Sequence, residues 1–157
     1  MVVDNLLTKL LEVSRHKEKL MNQMLHVSKQ LADSSDDWES YEKYLGIRQK
    51  YIKEIDGLDQ QLNMLKEKTV TFIGVSNWDG VKEFHPGMVE EIEQCWKLAS
   101  KTAEESFELT EQSMIQVERN LKELQHNMKT LQSSKTGVTA YKKRIKQNSG
   151  YFLDKKK

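Results

Sequence analysis

Proline and cysteine each occur only once in this chain of 157 residues. A single proline leaves long stretches in which helical hydrogen bonding is uninterrupted, a composition typical of amphipathic helices rather than of a β-sandwich or a doubly wound sheet. The single cysteine, Cys95, excludes an intrachain disulfide and suits a reducing cytosol. No run of about 18 apolar residues could span a bilayer, and Asp4 and Lys9 interrupt the region that a signal peptide would need. We therefore expect a cytoplasmic protein that is not inserted into a membrane.

Residues with metal-binding or catalytic chemistry are also scarce. No two of the histidines have metal-ligand spacing on one helix; they are His16, His26, His85 and His126. Glu123 and His126 form one Glu-x-x-His, whereas di-iron bundles use this element twice together with two further glutamates. The stretch "SSKTG" from Ser133 lacks the glycine-rich lead of a phosphate-binding loop. We expect no metal, no cofactor and no catalytic activity.

The net charge of +1 conceals an asymmetry along the chain. Residues 133–157 hold eight lysines and arginines against the single acid Asp154, whereas residues 1–132 hold seventeen against twenty-three aspartates and glutamates. A positive segment of this kind either binds an anionic surface or keeps a flexible segment soluble. Nucleic acid is not indicated, because the acidic remainder shows no basic face and no nucleic-acid-reading motif.

Apolar residues repeat at helical spacing over most of the chain. Steps of four and three predict a first helix over about 4–33 and a second over about 37–66, with Lys17 and Arg48 as charged interruptions. Asp36 followed by Glu39 resembles a capping box and predicts that the second helix starts near Asp37. The short connection between the two predicts an antiparallel hairpin.

The helical period is lost between residues 67 and 86, where two glycines and Pro86 occur. We expect a loop there, with Phe72, Ile73, Trp78 and Phe84 packed on the helices. Pro86 suits the first turn of a third helix over about 87–132. The predicted seam of this helix consists of Ile92, Cys95, Ala99, Ala103, Phe107, Thr110, Met114, Val117, Leu121, Leu124, Met128 and Leu131.

These elements predict an all-α fold, an elongated antiparallel three-helix bundle or coiled coil over residues 1–132 with a basic, flexible tail at 133–157. At 1.5 Å per residue, helices of about 28 residues extend roughly 42 Å and one of about 45 residues close to 68 Å. The third helix would therefore extend past the hairpin from near Met114. Because an apolar stripe is rarely left bare on a soluble monomer, we expect another copy, a partner helix or the chain's own tail to bind there. The partner-binding residues predicted on this stripe are Met114, Val117, Leu121, Leu124, Met128 and Leu131.

Three stretches together resemble the FlgN/FliT-type flagellar export chaperones. They are "LLTKLLEVSRHKEKLMNQML", "DDWESYEKYLGIRQKYIKEIDGLDQQL" and "TAYKKRIKQNSGYFLDKKK". The resemblance covers most of the chain, and its most recognisable parts are the Asp-Asp-Trp-Glu start of the second helix and the Gly-Tyr-Phe-Leu-Asp-Lys-Lys string in the tail.

The resemblance implies a cytosolic type III export chaperone that keeps the terminal helical segment of a late flagellar substrate soluble. The implied client is a hook–filament junction protein or the filament cap protein. Members of the family bind clients through their C-terminal region, and some use a tyrosine there to contact the export gate. This role implies further partner-binding residues in the tail, namely Tyr141, Tyr151, Phe152 and Leu153.

Two other readings of the same residues remain open. In the first, the chain is a structural coiled-coil adaptor that forms a homodimer through the third helix and has no role in export. In the second, the basic tail binds nucleic acid, which would make binding steeply dependent on salt.

Overall fold

A computed structural model describes residues 1–133 of the chain. Four helices and no strands are present in this range: α1 (Val2–Asp33), α2 (Trp38–Ile73), α3 (Trp78–Phe84) and α4 (Pro86–Gln132). The predicted all-α class is therefore confirmed for the described residues. Residues 134–157, which carry most of the predicted basic tail, lie outside them.

The chain divides into two compact units, Met1–Ser113 and Met114–Lys157. The first, here called the N-terminal unit, contains α1, α2, α3 and the first part of α4. The second, the C-terminal unit, contains the remainder of α4. Every residue that is buried in the described range belongs to the N-terminal unit.

A four-residue turn, residues 34–37, joins α1 to α2. The N-cap of α2 is Asp37, whose carboxylate accepts hydrogen bonds from the Ser40 hydroxyl at 2.7 Å and from the Ser40 backbone N–H at 3.5 Å. The start of the helix agrees with the prediction, but the predicted capping pair, Asp36 with Glu39, is wrong. Asp37 caps because its own backbone is extended, with φ −119° and ψ 100°, as the residue that precedes a helix requires.

The loop predicted over residues 67–86 is largely helical. α2 continues seven residues beyond the predicted end to Ile73, and the seven-residue α3 fills Trp78–Phe84. β-Branched residues are tolerated here because the helix buries them: Thr69 is fully buried and donates its hydroxyl hydrogen bond to the Leu65 carbonyl at 2.7 Å. The helix then ends at Gly74, which adopts the left-handed φ of 79° that glycine enters at little steric cost.

Of the four side chains in this region that were expected to pack on the helices, two do so. Ile73 and Trp78 contact the apolar core, whereas Phe72 and Phe84 are mostly exposed. The residue that anchors α3 is Val81, which is completely buried.

The N-terminal unit is organised in layers spaced one heptad apart. Residues seven apart are buried on α1 at Leu7, Ser14, Met21 and Ser28, and on α2 at Ile55, Leu62 and Thr69, with Tyr41 two heptads before Ile55. An ion pair between Lys17 and Asp59, 2.6 Å long, marks which levels of these two antiparallel helices face each other. α4 contributes Ile92 to one apolar cluster and Ala99 to the other.

The buried face of α4 differs from the predicted seam in its middle part. Ser106, Thr110 and Ser113 are buried, whereas Phe107 is 63% exposed and Met114 is 53% exposed. The repeat by itself does not decide between these two neighbouring faces of α4, because adjacent residues lie only about 100° apart around the helix axis. The small hydroxyl side chains face α1 and α2 here, so the apolar residues beside them turn outward.

Candidate protein-binding surface

The C-terminal unit carries an apolar stripe along one face of α4. We call the half-buried residues that form it the α4 stripe: Val117, Leu121, Leu124, Met128 and Leu131. Their spacing of alternately four and three residues places them on one side of a helix. None of the described residues after Ser113 is fully buried. The stripe therefore keeps part of its apolar area accessible, and that area is available for binding.

Met114, the sixth predicted residue, lies at the edge of this stripe. Its side chain is 53% exposed and that of its neighbour Ile115 is 47% exposed. Met114 precedes Leu121 by seven residues, so the two share one line along the helix. Together they widen the apolar surface beyond the stripe itself. Sequence reasoning missed Ile115, because it falls outside the seam spacing.

The flanks of the α4 stripe carry charges of both signs. Glu118 and Glu123 alternate with Arg119, Lys122 and Lys129 along the exposed positions. Gln116 donates a hydrogen bond from Nε2 to the Asn120 Oδ1 at 3.0 Å, an i,i+4 pair on the helix surface. Mixed flanks give no strong attraction to an anion or a cation, so the recognition that this surface offers is mainly apolar contact.

The remaining four predicted site residues, Tyr141, Tyr151, Phe152 and Leu153, lie outside the described residues. Their role stays a prediction. The structure thus places six of the ten predicted residues on one helix.

Two open grooves on the N-terminal unit were not predicted. One, of about 480 Å³, runs between α1 and α2 and is lined by Leu6, Met64, Glu67, Lys68, Thr71 and Phe72. The other, of about 530 Å³, is lined by Arg15, Glu18, Lys19, Asn22, Gln23, His26, Val27 and Tyr51. Met64 and Phe72 are both exposed, and Met64 faces away from the buried side because it lies two residues, about 200° around the helix axis, after the buried Leu62. The position of Met64 relative to Leu62 can be read from the sequence, so the sequence could have predicted that Met64 is exposed.

A pair of tryptophans packs against the apolar cluster that contains Leu7, Leu62 and Ile92. Trp78 and Trp96 have ring centroids 5.4 Å apart, and the Lys66 ammonium lies 5.7 Å and 5.0 Å from the two rings. Trp96 donates its indole N–H to the Ser14 hydroxyl at 2.8 Å, whereas the buried indole N–H of Trp78 has no hydrogen-bond partner among the described residues. Cation–π contact of this kind holds Lys66 and the two rings together without a carboxylate.

The thiol of Cys95 is a poor nucleophile in this environment. Burial raises its pKa, and the nearby Glu18 carboxylate raises the pKa further. Since the thiolate is the reactive form, a raised pKa lowers reactivity at neutral pH. No group of three or more potential metal ligands comes together within residues 1–133. In the same range, no helix combines the length and the apolar character needed to cross a bilayer.

Comparison of this chain with known protein families, with curated proteins and with solved structures finds no match.

Proposed function

We propose that this protein is a cytoplasmic flagellar export chaperone that binds the helical terminal segment of a late export substrate. The proposed client is a hook–filament junction protein or the filament cap protein. The observation that carries the proposal is the α4 stripe, an apolar line of helical spacing that remains partly accessible in a chain of amphipathic helices. The three stretches that resemble the FlgN/FliT-type chaperones supply the client class.

Binding would follow a helix-in-groove mode, in which the apolar face of the client helix lies along α4. Covering the remaining area of each half-buried Leu or Val would contribute about 1 kcal/mol. Ordering a client segment that is disordered beforehand offsets several kcal/mol of the gain. The result is a reversible complex, which suits a chaperone that must release its client for export.

The tail has a separate role in this proposal. Phe152 and Leu153 would add apolar contacts to the bound client, and either Tyr141 or Tyr151 would contact the export gate. The finer architecture belongs to the same proposal: α1, α2 and α4 form an elongated three-helix bundle that presents the end of α4.

The test is calorimetric titration with the terminal segments of the junction and cap proteins from the same cell. Leu121→Glu and Leu124→Glu should each weaken binding at least tenfold, because each places a charge in the apolar contact. Lys122→Glu is the matched control, since it adds the same side chain to an exposed position between them and should change binding less than threefold. Circular dichroism should show unchanged helicity in all three variants.

A structural adaptor would give a different result. If the unaltered chain binds none of these segments, and Leu121→Glu instead converts a homodimer to a monomer in light scattering, the α4 stripe serves self-association. Shortening the chain to residues 1–132 separates the two cases independently: a chaperone loses or weakens client capture, whereas an adaptor keeps its assembly.

A further inference from the structure

The layers of the N-terminal unit change in character from one end to the other. One apolar cluster combines Leu7, Leu62 and Ile92 with Val81 of α3, and the next combines Met21, Ile55 and Ala99. We call these two clusters the apolar end. One heptad further along α1 and α4, Ser28 and Ser106 take the positions of Met21 and Ala99. Both serines are fully buried, and their hydroxyl oxygens lie 2.6 Å apart.

Arg48 occupies the corresponding position on α2. It lies seven residues before the buried Ile55 and seven after the buried Tyr41. The ion pair between Lys17 and Asp59 marks one level at which the antiparallel helices α1 and α2 face each other. Eleven residues further along α1 is Ser28, and eleven residues back along α2 is Arg48, so these two lie at the same level. A half-buried arginine thus lies in the layer of the two serines.

The guanidinium of Arg48 is poorly compensated. Its Nε is buried without a hydrogen-bond partner, and it forms no ion pair within residues 1–133. Burial lowers its pKa, which the Tyr41 hydroxyl opposes only in part. A charge that is partly desolvated and not paired opposes closure of the helices around it.

The next layer is polar as well. The Tyr41 hydroxyl and the Ser113 hydroxyl are 3.4 Å apart, a long contact for two hydroxyls. Thr110 and Ser113 donate their hydroxyl hydrogen bonds to carbonyls of α4 itself, at 2.8 Å each. These bonds lie within α4, so they do not hold α4 against α1 and α2. We call the two layers the polar end: Ser28, Arg48, Ser106, Tyr41, Thr110 and Ser113.

We propose that the polar end opens as a local unit, in which residues 104–113 of α4 unfold and leave α1 and α2 while the apolar end stays closed. The cause is the distribution of apolar burial. To the apolar end α4 contributes the buried apolar residues Val89, Ile92 and Ala99. At the polar end the residues that α4 buries are Ser106, Thr110 and Ser113, whose hydroxyl contacts give small net stability, and Arg48 adds one unpaired cation. Cooperative units with less apolar burial open at lower free energy than the rest of a domain. The opening exposes Val27, Leu31 and Tyr41, which are buried in the closed state.

Amide hydrogen exchange measured by mass spectrometry on the full chain tests this proposal. Peptides covering residues 104–113 should exchange at least about tenfold faster than peptides covering residues 89–99, although both belong to one uninterrupted helix. Arg48→Leu should slow exchange at 104–113 severalfold and raise the thermal midpoint, because it replaces an unpaired cation with an apolar side chain. Ile55→Val, in the apolar end, is the control and should lower the thermal midpoint without slowing exchange at 104–113.

Two results would overturn the proposal. The first is equal exchange in the unaltered chain across residues 89–113, which needs no variant to interpret. The second is a lower thermal midpoint for Arg48→Leu, or an equal slowing of exchange in both regions, which would show that Arg48 does not act locally.

Discussion

The most distinctive feature at the scale of single residues is the number of serine and threonine side chains buried between the helices. Six serines and threonines are buried in the N-terminal unit, and several donate to the carbonyl four residues earlier on their own helix. Such bonds let serine and threonine occupy a helix interior without leaving an unpaired group, although they contribute little to packing. The exceptions connect helices: Ser14 accepts from Trp96, and Ser28 meets Ser106. These two contacts join α1 to α4 through Trp96 and Ser106, each one position away from a predicted seam residue, Cys95 and Phe107.

Glycine substitutions test the packing at single positions. A Cβ added at Gly80 would lie 2.7 Å from the Val75 Cβ, so Gly80→Ala should lower the free energy of unfolding by about 1–3 kcal/mol. Gly57 lies inside α2 with nothing within 4 Å of its added Cβ, so Gly57→Ala should raise that free energy by roughly 0.5–1 kcal/mol. Urea denaturation measures both. Equal effects of the two variants would contradict the close approach of Val75 to α3.

α2 shows how the ends of an element depend on local chemistry. It starts at an aspartate cap and ends at a left-handed glycine, and between these ends it buries one side chain per heptad, with Arg48 as the half-buried exception. The short α3 follows the same rule, since Asn77 accepts a hydrogen bond from the Gly80 N–H at 3.1 Å. The two ends of α2 and the start of α3 are therefore set by caps.

The cap of α2 predicts a dependence of stability on pH. Hydrogen bonds from the Ser40 hydroxyl and then the Ser40 N–H lower the pKa of Asp37 in the folded state. Because the folded pKa is lower than the unfolded one, the contribution is present above the ordinary aspartate pKa of about 3.9 and is lost as the pH falls through the folded pKa. Asp37→Ala should therefore lower the thermal midpoint at pH 7, and the difference from the unaltered chain should shrink by pH 2.

Asp56→Ala is the control for this experiment, because it removes an exposed aspartate from the interior of the same helix. It should leave the thermal midpoint nearly unchanged at neutral pH. A deficit of Asp37→Ala that stays constant from pH 7 to pH 2 would show that the carboxylate charge is not what caps the helix.

At the scale of the whole molecule, burial and accessibility are divided between the two units. The residues buried in the described range all belong to the N-terminal unit, whereas the α4 stripe and Met114 belong to the C-terminal unit. A domain is stabilised mainly by its buried apolar residues, so the N-terminal unit contains what it needs to fold. The C-terminal unit contributes accessible apolar area instead, which is the property that binding requires.

This division predicts that residues 1–113 fold without the rest of the chain. The shortened protein should remain helical by circular dichroism and unfold cooperatively, with a thermal midpoint within about 5 °C of the full chain, which corresponds to a change of roughly 1–2 kcal/mol. It should also lose all client binding under the proposed function. A shortened protein without a cooperative transition would show that residues 114–157 contribute to the core.

The sequence by itself determined the helical class and most of the helix boundaries. Its apolar residues recur with the spacing of a helical face, and one proline and few glycines leave that spacing uninterrupted. It also predicted six residues of the α4 stripe and its edge, because they continue the same repeat. The end of α2 was wrong by seven residues, since β-branched residues weaken a local helix prediction that burial of Thr69 then overrides.

Only the tertiary structure decided which of two adjacent faces of α4 is buried. Ser106 and Phe107 are neighbours in sequence, and hydrophobicity alone favours burying the phenylalanine. The serine is buried instead, because at that level α4 meets Ser28 of α1, and the two hydroxyl oxygens lie 2.6 Å apart in a hydrogen bond that a phenylalanine cannot make. Such a choice depends on two side chains 78 residues apart in the chain, and a local repeat carries no information about them.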